Sequence, residues 1–335
     1  MTKDRLLWVD VLNIVACVCV VWMHCTNSAL HNFNGEVDIP YIIGLITHTI
    51  AYWPVPVFMM LSGYKLLSNG GGMKDFYIRR IKRIGIPFIA WSLFYYIVNY
   101  HRLIPLNEFT EKFLAGRFCG TMWFFIPLFT FYLCFPFIQT FVQNASSKMM
   151  RDYLWIGFFF VSLFPCVLNI CEINYTNIFP IGMNYLLVAI AGYVMATDKW
   201  FKEHRRKIIA IGMCSTLIHV AVLTLTTYHF HLSSKVWLNA TYPTNLLISA
   251  SVYMLFSGIC WNRIIKVVHI SRDKLFRVST CSFGIYLIHP FIISVSHKLH
   301  IGLDNPYIGF LIVYLISLSI IILLKKIPLV KILVP

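Results

Sequence analysis

Long runs of apolar residues dominate the chain, and each is long enough to cross a lipid bilayer as a helix. Crossing the hydrocarbon core takes about 20 apolar residues at a rise of ~1.5 Å per residue. Because the bilayer core offers no water to an exposed backbone, such runs are expected to be helical. The sequence therefore predicts an all-α, polytopic integral membrane protein with about ten transmembrane helices. Ten segments qualify, with ends uncertain by a few residues: 6–30, 41–62, 84–100, 121–141, 153–171, 181–197, 208–228, 244–261, 281–297 and 308–324.

The composition agrees with a chain whose exterior faces lipid. Of its 335 residues, 59% are hydrophobic and 12% charged, whereas a soluble domain carries about 25% charged residues. One water-soluble core could not bury this much apolar surface. The net charge of +15 would suggest nucleic acid or an acidic surface as partner of a soluble protein, so the location of the basic residues becomes decisive.

Those basic residues fall on one side of the predicted membrane. If the N terminus starts inside and the chain crosses ten times, most of the 28 lysine and arginine residues lie in cytoplasmic segments. This is the bias that the positive-inside rule describes, and it needs no nucleic acid. We therefore expect both termini in the cytoplasm. The five basic residues on the other side are Arg102, Lys112, Arg117, Lys235 and Lys298.

The cysteine pattern predicts neither disulfides nor a metal site. Most of the ten cysteines lie inside apolar runs, with no CxxC pair and no zinc-like spacing. Thiols in such surroundings behave as small apolar groups.

Polar residues inside a membrane are costly and therefore mark candidate functional groups. In the first segment, Asp10, Asn13, Cys17 and His24 share one face at about 100° per residue. The helical rise places His24 about 21 Å beyond Asp10, in the outer half of the membrane. His48 enters the second segment from the outside at a similar depth, so the two imidazoles are candidates to face each other. The alternative is that they form hydrogen bonds between helices.

A basic segment follows the second apolar run. We expect 63–83 to be a cytoplasmic loop with a basic amphipathic part, in which Arg79 and Arg83 align at i and i+4 beside Arg80 and Lys82. Such a cluster can bind phosphates through charge-assisted hydrogen bonds. The alternative is an anchor beside anionic lipid headgroups.

Two further groups stand near the ends of later segments. Trp123 lies near the outer mouth of the fourth segment. Ser282, Tyr286 and His289 lie at i, i+4 and i+7, hence on one helix face, and Pro290 then frees backbone groups. A hydrogen-bonded packing seam is the alternative for this second group.

Five stretches stand out in chain order: 8–16 leading to 23–24, 55–64, 76–84 with Pro87, 123–125 with 132–133 and Pro136, and 282–290. With these stretches, the sequence resembles the acyltransferase-3 family of membrane acyltransferases, and especially the O-acetyltransferases of enterobacterial common antigen and other surface polysaccharides. That family typically has an arginine where this chain has Asn13, and often a histidine at the position of Thr121.

The resemblance implies one acyltransferase domain over 1–335 in a bacterial inner membrane. It implies an acetyl or other acyl group moving from acyl-CoA to a hydroxyl of a surface or lipid-linked glycan, without a metal. It implies His24 as the base or transient acyl carrier, with Asp10 orienting or neutralising a cation. The implied binding residues are Arg79, Arg80, Arg83 and Asn13 for acetyl-CoA, and Trp123, Tyr286, His289 and His48 for the acceptor.

Two other hypotheses about the function remain open. A saccharide or lipid transporter would show inverted repeats with helices broken at mid-membrane; the sequence has no such symmetry, although Pro54, Pro56 and Pro290 are candidate breaks. A weakened family member could serve as a sensor, as Asn13 allows. Label passing from acetyl-CoA to an acceptor separates the enzyme from both.

Overall fold

The computed structural model describes residues 6–31, 38–68, 72–171, 173, 181–230, 240–299 and 306–335. Over these ranges the regular structure is helical, without a β-strand. The helices are α1 Leu7–His31, α2 Ile39–Ile50, α3 Pro54–Leu67, α4 Met73–Arg80, α5 Ile86–Asn99, α6 Leu106–Leu114, α7 Phe125–Asn144, α8 Ser147–Phe158, α9 Phe164–Ile170, α10 Ile181–Thr197, α11 Lys199–Glu203, α12 Arg205–Phe230, α13 Pro243–Gly258, α14 Trp261–Val267, α15 Arg272–Lys298 and α16 Pro306–Leu324.

These helices form the membrane-spanning set that the sequence predicts. Within the described ranges, seven helical stretches are long and apolar enough to cross a bilayer. An eighth consists of α13 and α14, bent by 69° at their junction, and the apolar parts of α10 and α16 are shorter. In chain order they coincide with all ten predicted segments, so the polytopic all-α fold is confirmed.

Two spans extend well beyond the apolar run that predicts them. The third runs over Met73–Asn99 and the ninth over Arg272–Lys298, because charged residues at each start continue the helix. The stretch 63–83, expected as a loop, is accordingly helical over most of its length. α3 continues to Leu67 and α4 begins at Met73; residues 69–71 lie outside the described part.

Several spans contain an interruption of the α-helix. The second breaks between Ile50 and Pro54, where proline suits the first turn of a new helix. A π-helical turn, Ile81–Gly85, joins α4 to α5, and another joins α8 to α9. Such turns occur often at functional sites. A 3₁₀ turn, Met122–Phe124, precedes α7.

Helix α1 is central, in contact with α2, α3, α13, α15 and α16. On its flank, α3 and α10 approach backbone to backbone at two glycines. A Cβ atom at Gly63 would lie 1.9 Å from the Ala189 carbonyl oxygen, and one at Gly192 would lie 2.2 Å from that of Met60. Small residues that permit close approach are typical of helix packing in membranes.

Candidate active site

A cavity of about 240 Å³ lies where α1, the break between α2 and α3, the start of α7 and α15 meet. Four residues singled out in the sequence line it: His24, His48, Trp123 and Tyr286. They come from four different spans, so only the folded chain brings them together. The remaining wall is largely apolar and aromatic, and includes Tyr52, Phe58 and Phe124.

His24 lies on α1, is half-buried and lines the cavity. Its imidazole contacts that of His289 on α15, with ring centroids 5.2 Å apart and planes inclined by 37°. His24 therefore presents one side to the cavity and the other to a second imidazole.

His289 contacts His24 and does not itself line the cavity. Its side chain is fully buried, and Nδ1 lies 3.1 Å from the carbonyl oxygen of Ile285 on the preceding turn. Nε2 is buried and has no hydrogen-bond partner among the described residues. In this conformation His289 therefore makes no direct contact with the cavity, and its expected role in binding the acceptor stays a prediction.

The aromatic side of the cavity is fixed by a bond between spans. The Tyr286 hydroxyl donates to the backbone carbonyl of Thr121, just before the 3₁₀ turn. That turn carries Trp123, which is 36% exposed and lies with its ring 5.9 Å from that of Tyr185. An aromatic face held in this way is available to a ligand in the cavity.

His48 and Tyr52 occupy the break in the second span. His48 is near the end of α2 and buried, and its ring centroid lies 5.5 Å from that of Tyr52. The sequence predicts a similar membrane depth for His24 and His48, and both line one cavity. Tyr52 was not singled out; the Pro54–Pro56 signal of a helix break points to its neighbourhood.

The rest of the polar face of α1 is bonded to α15. The Ser279 hydroxyl donates to Asp10 Oδ1 at 2.8 Å. Asn13 Nδ2 donates to the Ser279 carbonyl at 2.9 Å, and the Cys17 thiol approaches the Ser282 carbonyl at 3.5 Å. We call this contact, made by Asp10, Asn13, Cys17, Ser279 and Ser282, the polar seam.

Asp10 is remote from the cavity, at the far end of the polar seam. Fourteen residues of helix place Asp10 about 21 Å from His24 along α1, so its carboxylate cannot bond that imidazole directly. Asp10, Cys17 and Ser282 are buried, and the seam is closed by side chains in this conformation. The expected roles of Asp10 and Asn13 stay predictions.

The three arginines of the basic segment have different surroundings. Arg79 and Arg83 are exposed. Arg80 turns inward, with its guanidinium carbon 5.6 Å from the ring centroid of Phe76 and 5.8 Å from that of Tyr132. Arg79 and Arg83 are therefore accessible to phosphate, whereas Arg80 is held by cation–π contacts.

A further cation, Lys325, joins this region from the end of α16. Its Nζ donates to the Thr280 carbonyl at 2.7 Å. Burial lowers the pKa of this ammonium, and the nearby charge of Arg83 lowers it further. In the sequence, Lys325 is marked only as the first basic residue after the last span.

Fold and comparison together define a multi-pass membrane acyltransferase. The chain belongs to the acyltransferase-3 family: the model of that family, described as an acyltransferase domain, matches residues 6–326. The family predicted from the five stretches is thus confirmed, while the narrower likeness to enterobacterial O-acetyltransferases stays an expectation. No curated protein and no solved structure matches the chain.

Proposed function

We propose that this membrane acyltransferase moves an acyl group, in the simplest case acetyl, from acyl-CoA to a hydroxyl of a surface or lipid-linked glycan. The observation that carries the proposal is the convergence of His24, His48, Trp123 and Tyr286 on one cavity. These groups supply a base, polar contacts and an aromatic face, which is what acylation of a sugar hydroxyl needs.

His24 serves as the base. Imidazole titrates near neutral pH and can take a proton from the acceptor hydroxyl as its oxygen attacks the thioester carbonyl. The new ester C–O bond forms and the C–S bond breaks. The proton then passes from His24 to the departing thiolate, so that ester and free CoA thiol are the products.

The acceptor is held on the aromatic side of the cavity. Trp123 offers a partly exposed ring, against which the apolar face of a sugar can stack. His48 and Tyr286 line the same space and place polar atoms where hydroxyl groups need partners. His24, which α1 contributes to the same cavity, then acts on the reacting hydroxyl.

The donor is held at the predicted cytoplasmic end. Arg79 and Arg83 are exposed and bind the CoA phosphates through charge-assisted hydrogen bonds. The acyl-bearing arm must then pass the polar seam to reach His24, which lies about 21 Å beyond Asp10 along α1. Because the seam is closed here, binding of the donor requires α1 and α15 to move apart. The site then joins a cytoplasmic donor to an outer acceptor in a bacterial inner membrane.

Purified protein in lipid nanodiscs, given acetyl-CoA labelled in the acetyl group and lipid-linked glycans, tests the proposal. We expect label on the glycan and release of free CoA in equal amounts. If the same protein in closed liposomes moves glycan across the bilayer without labelling it, a transporter is favoured instead. Acetyl-CoA that stays intact with every glycan tested would contradict the proposal.

A further inference from the structure

The contact between His24 and His289 is unlike an ordinary packing contact of two polar side chains. His289 is fully buried inside α15, and its Nε2 has no hydrogen-bond partner in the described part of the chain. Leaving a buried polar atom unpaired costs free energy. The ring of His24 lies against the ring of His289, with centroids 5.2 Å apart.

The backbone of α15 determines which nitrogen of His289 carries the proton. Nδ1 lies 3.1 Å from the Ile285 carbonyl oxygen. Since a carbonyl oxygen can only accept a hydrogen bond, Nδ1 is the donor. Nε2 is therefore left as a lone-pair acceptor.

We propose that His289 is a positioning residue for the base His24. In this role, Nε2 of His289 accepts a hydrogen bond from one ring nitrogen of His24. The separation of the rings allows a bond of about 3 Å after a small rotation of His24. Catalytic hydrogen bonds often tighten in this way only when substrate is bound. The inference rests on the proposed function, because His289 acts through His24.

The consequence is a fixed tautomer and orientation for His24. The nitrogen that donates to His289 keeps its proton, so the other nitrogen is unprotonated and faces the cavity. During the reaction, the proton from the acceptor hydroxyl is bound on that cavity side. His289 keeps the same hydrogen bond to the resulting imidazolium and stabilises it, and no proton needs to reach His289. The Ile285 carbonyl thereby orients His24 through one intervening ring.

Substitutions at His289 test this role in the purified full chain. H289L removes the acceptor, whereas H289Q keeps an acceptor oxygen in a side chain of similar reach. We expect H289L to lower kcat about 10–100-fold, as loss of an orienting partner does, with the KM of donor and acceptor changed less than about threefold. H289Q should recover a substantial part of kcat. If H289L does not yield folded protein by gel filtration, H289M replaces it.

A control is His219, which is buried on α12 and bonded to Thr244 away from the cavity. H219L should retain kcat when folded. A normal kcat in H289L, equal losses in H289L and H289Q, or a raised acceptor KM at unchanged kcat would each overturn the positioning role. If one of these results is found while H24A is inactive, only the positioning role is refuted and the proposed function stands. An inactive wild type, or a fully active H24A, would instead refute the proposed function itself.

Discussion

The hydroxyl of Ser279 on α15 donates a 2.8 Å hydrogen bond to the buried carboxylate of Asp10 on α1. The Asn13 amide donates to the same hydroxyl at 3.2 Å. One hydroxyl thus joins two polar residues of the first span to the ninth span, 266 or more positions later in the sequence. The polar stripe of α1 is bonded to its partner helix along its predicted cytoplasmic half, and only His24 is left at the cavity.

Removing that hydroxyl should loosen the contact of α1 with α15. We expect S279A to lower stability by about 0.5–2 kcal/mol, the usual range for a polar bond between membrane helices. The midpoint of thermal unfolding in detergent measures this effect. The matched control is S62A, because the Ser62 hydroxyl donates only within its own helix, to Phe58. Equal midpoints for the two variants would show that the seam contributes no stability.

Trp123 should determine affinity for the acceptor. We expect W123A to raise the acceptor KM about 2–10-fold, the range of an aromatic contact, and W123F to raise it less. The donor KM should not change, because the basic segment packs against α7 further along that helix, at Tyr132 and Phe135. W155A is the control, since Trp155 on α8 is 54% exposed and does not line the cavity. A raised donor KM with a normal acceptor KM would contradict the assignment.

Arg79 and Arg83 should determine affinity for the donor. We expect R79Q/R83Q to raise the acyl-CoA KM about tenfold or more through lost charge-assisted bonds. Added salt should weaken the wild type more than this variant, because screening acts on the charges that were removed. K199Q/K202Q removes two exposed lysines from α11 and serves as the control. If both double variants bind acyl-CoA alike, the arginines are topological anchors.

The sidedness of the fold follows from charge alone and can be measured separately. A phosphatase that is active only outside the cytoplasm should be active when fused after Leu103, between α5 and α6. It should be inactive when fused after Asn144, at the end of α7. Asn144 lies on the side of the membrane where the basic residues concentrate, which is the cytoplasmic side by the positive-inside rule. The reverse pattern of activity would show that the chain has the opposite membrane orientation, with the donor and acceptor ends exchanged.

Much of the fold follows from the length of apolar runs, because the bilayer fixes how many apolar residues a span needs. The helix ends do not follow from it. Lys74 and Arg79 precede the third apolar run, and Arg272 and Arg277 precede the ninth, yet all belong to helices. Hydropathy detects the part of a helix that meets lipid, whereas the hydrogen-bonded helix continues into the headgroup region.

The sequence predicts which site residues share a helix face, but not which residues of different helices contact each other. Helical periodicity places His24 with Asp10, and His289 with Tyr286, since 3.6 residues per turn determine which positions share a face. It does not determine which two faces meet, because that depends on how whole helices pack. The sequence suggested His48 as the neighbour of His24, and the structure adds His289 in direct ring contact.

The rate of acetyl transfer by H24A, compared with that of wild type in the same nanodiscs, tests the central claim most directly. H24N is assayed beside it to retain a polar side chain at this position. We expect both variants to fold normally and to lose at least about 10²-fold in kcat, as removal of a general base does. Transfer at the wild-type rate by folded H24A would contradict the account, because no imidazole at the cavity would then be needed for the chemistry.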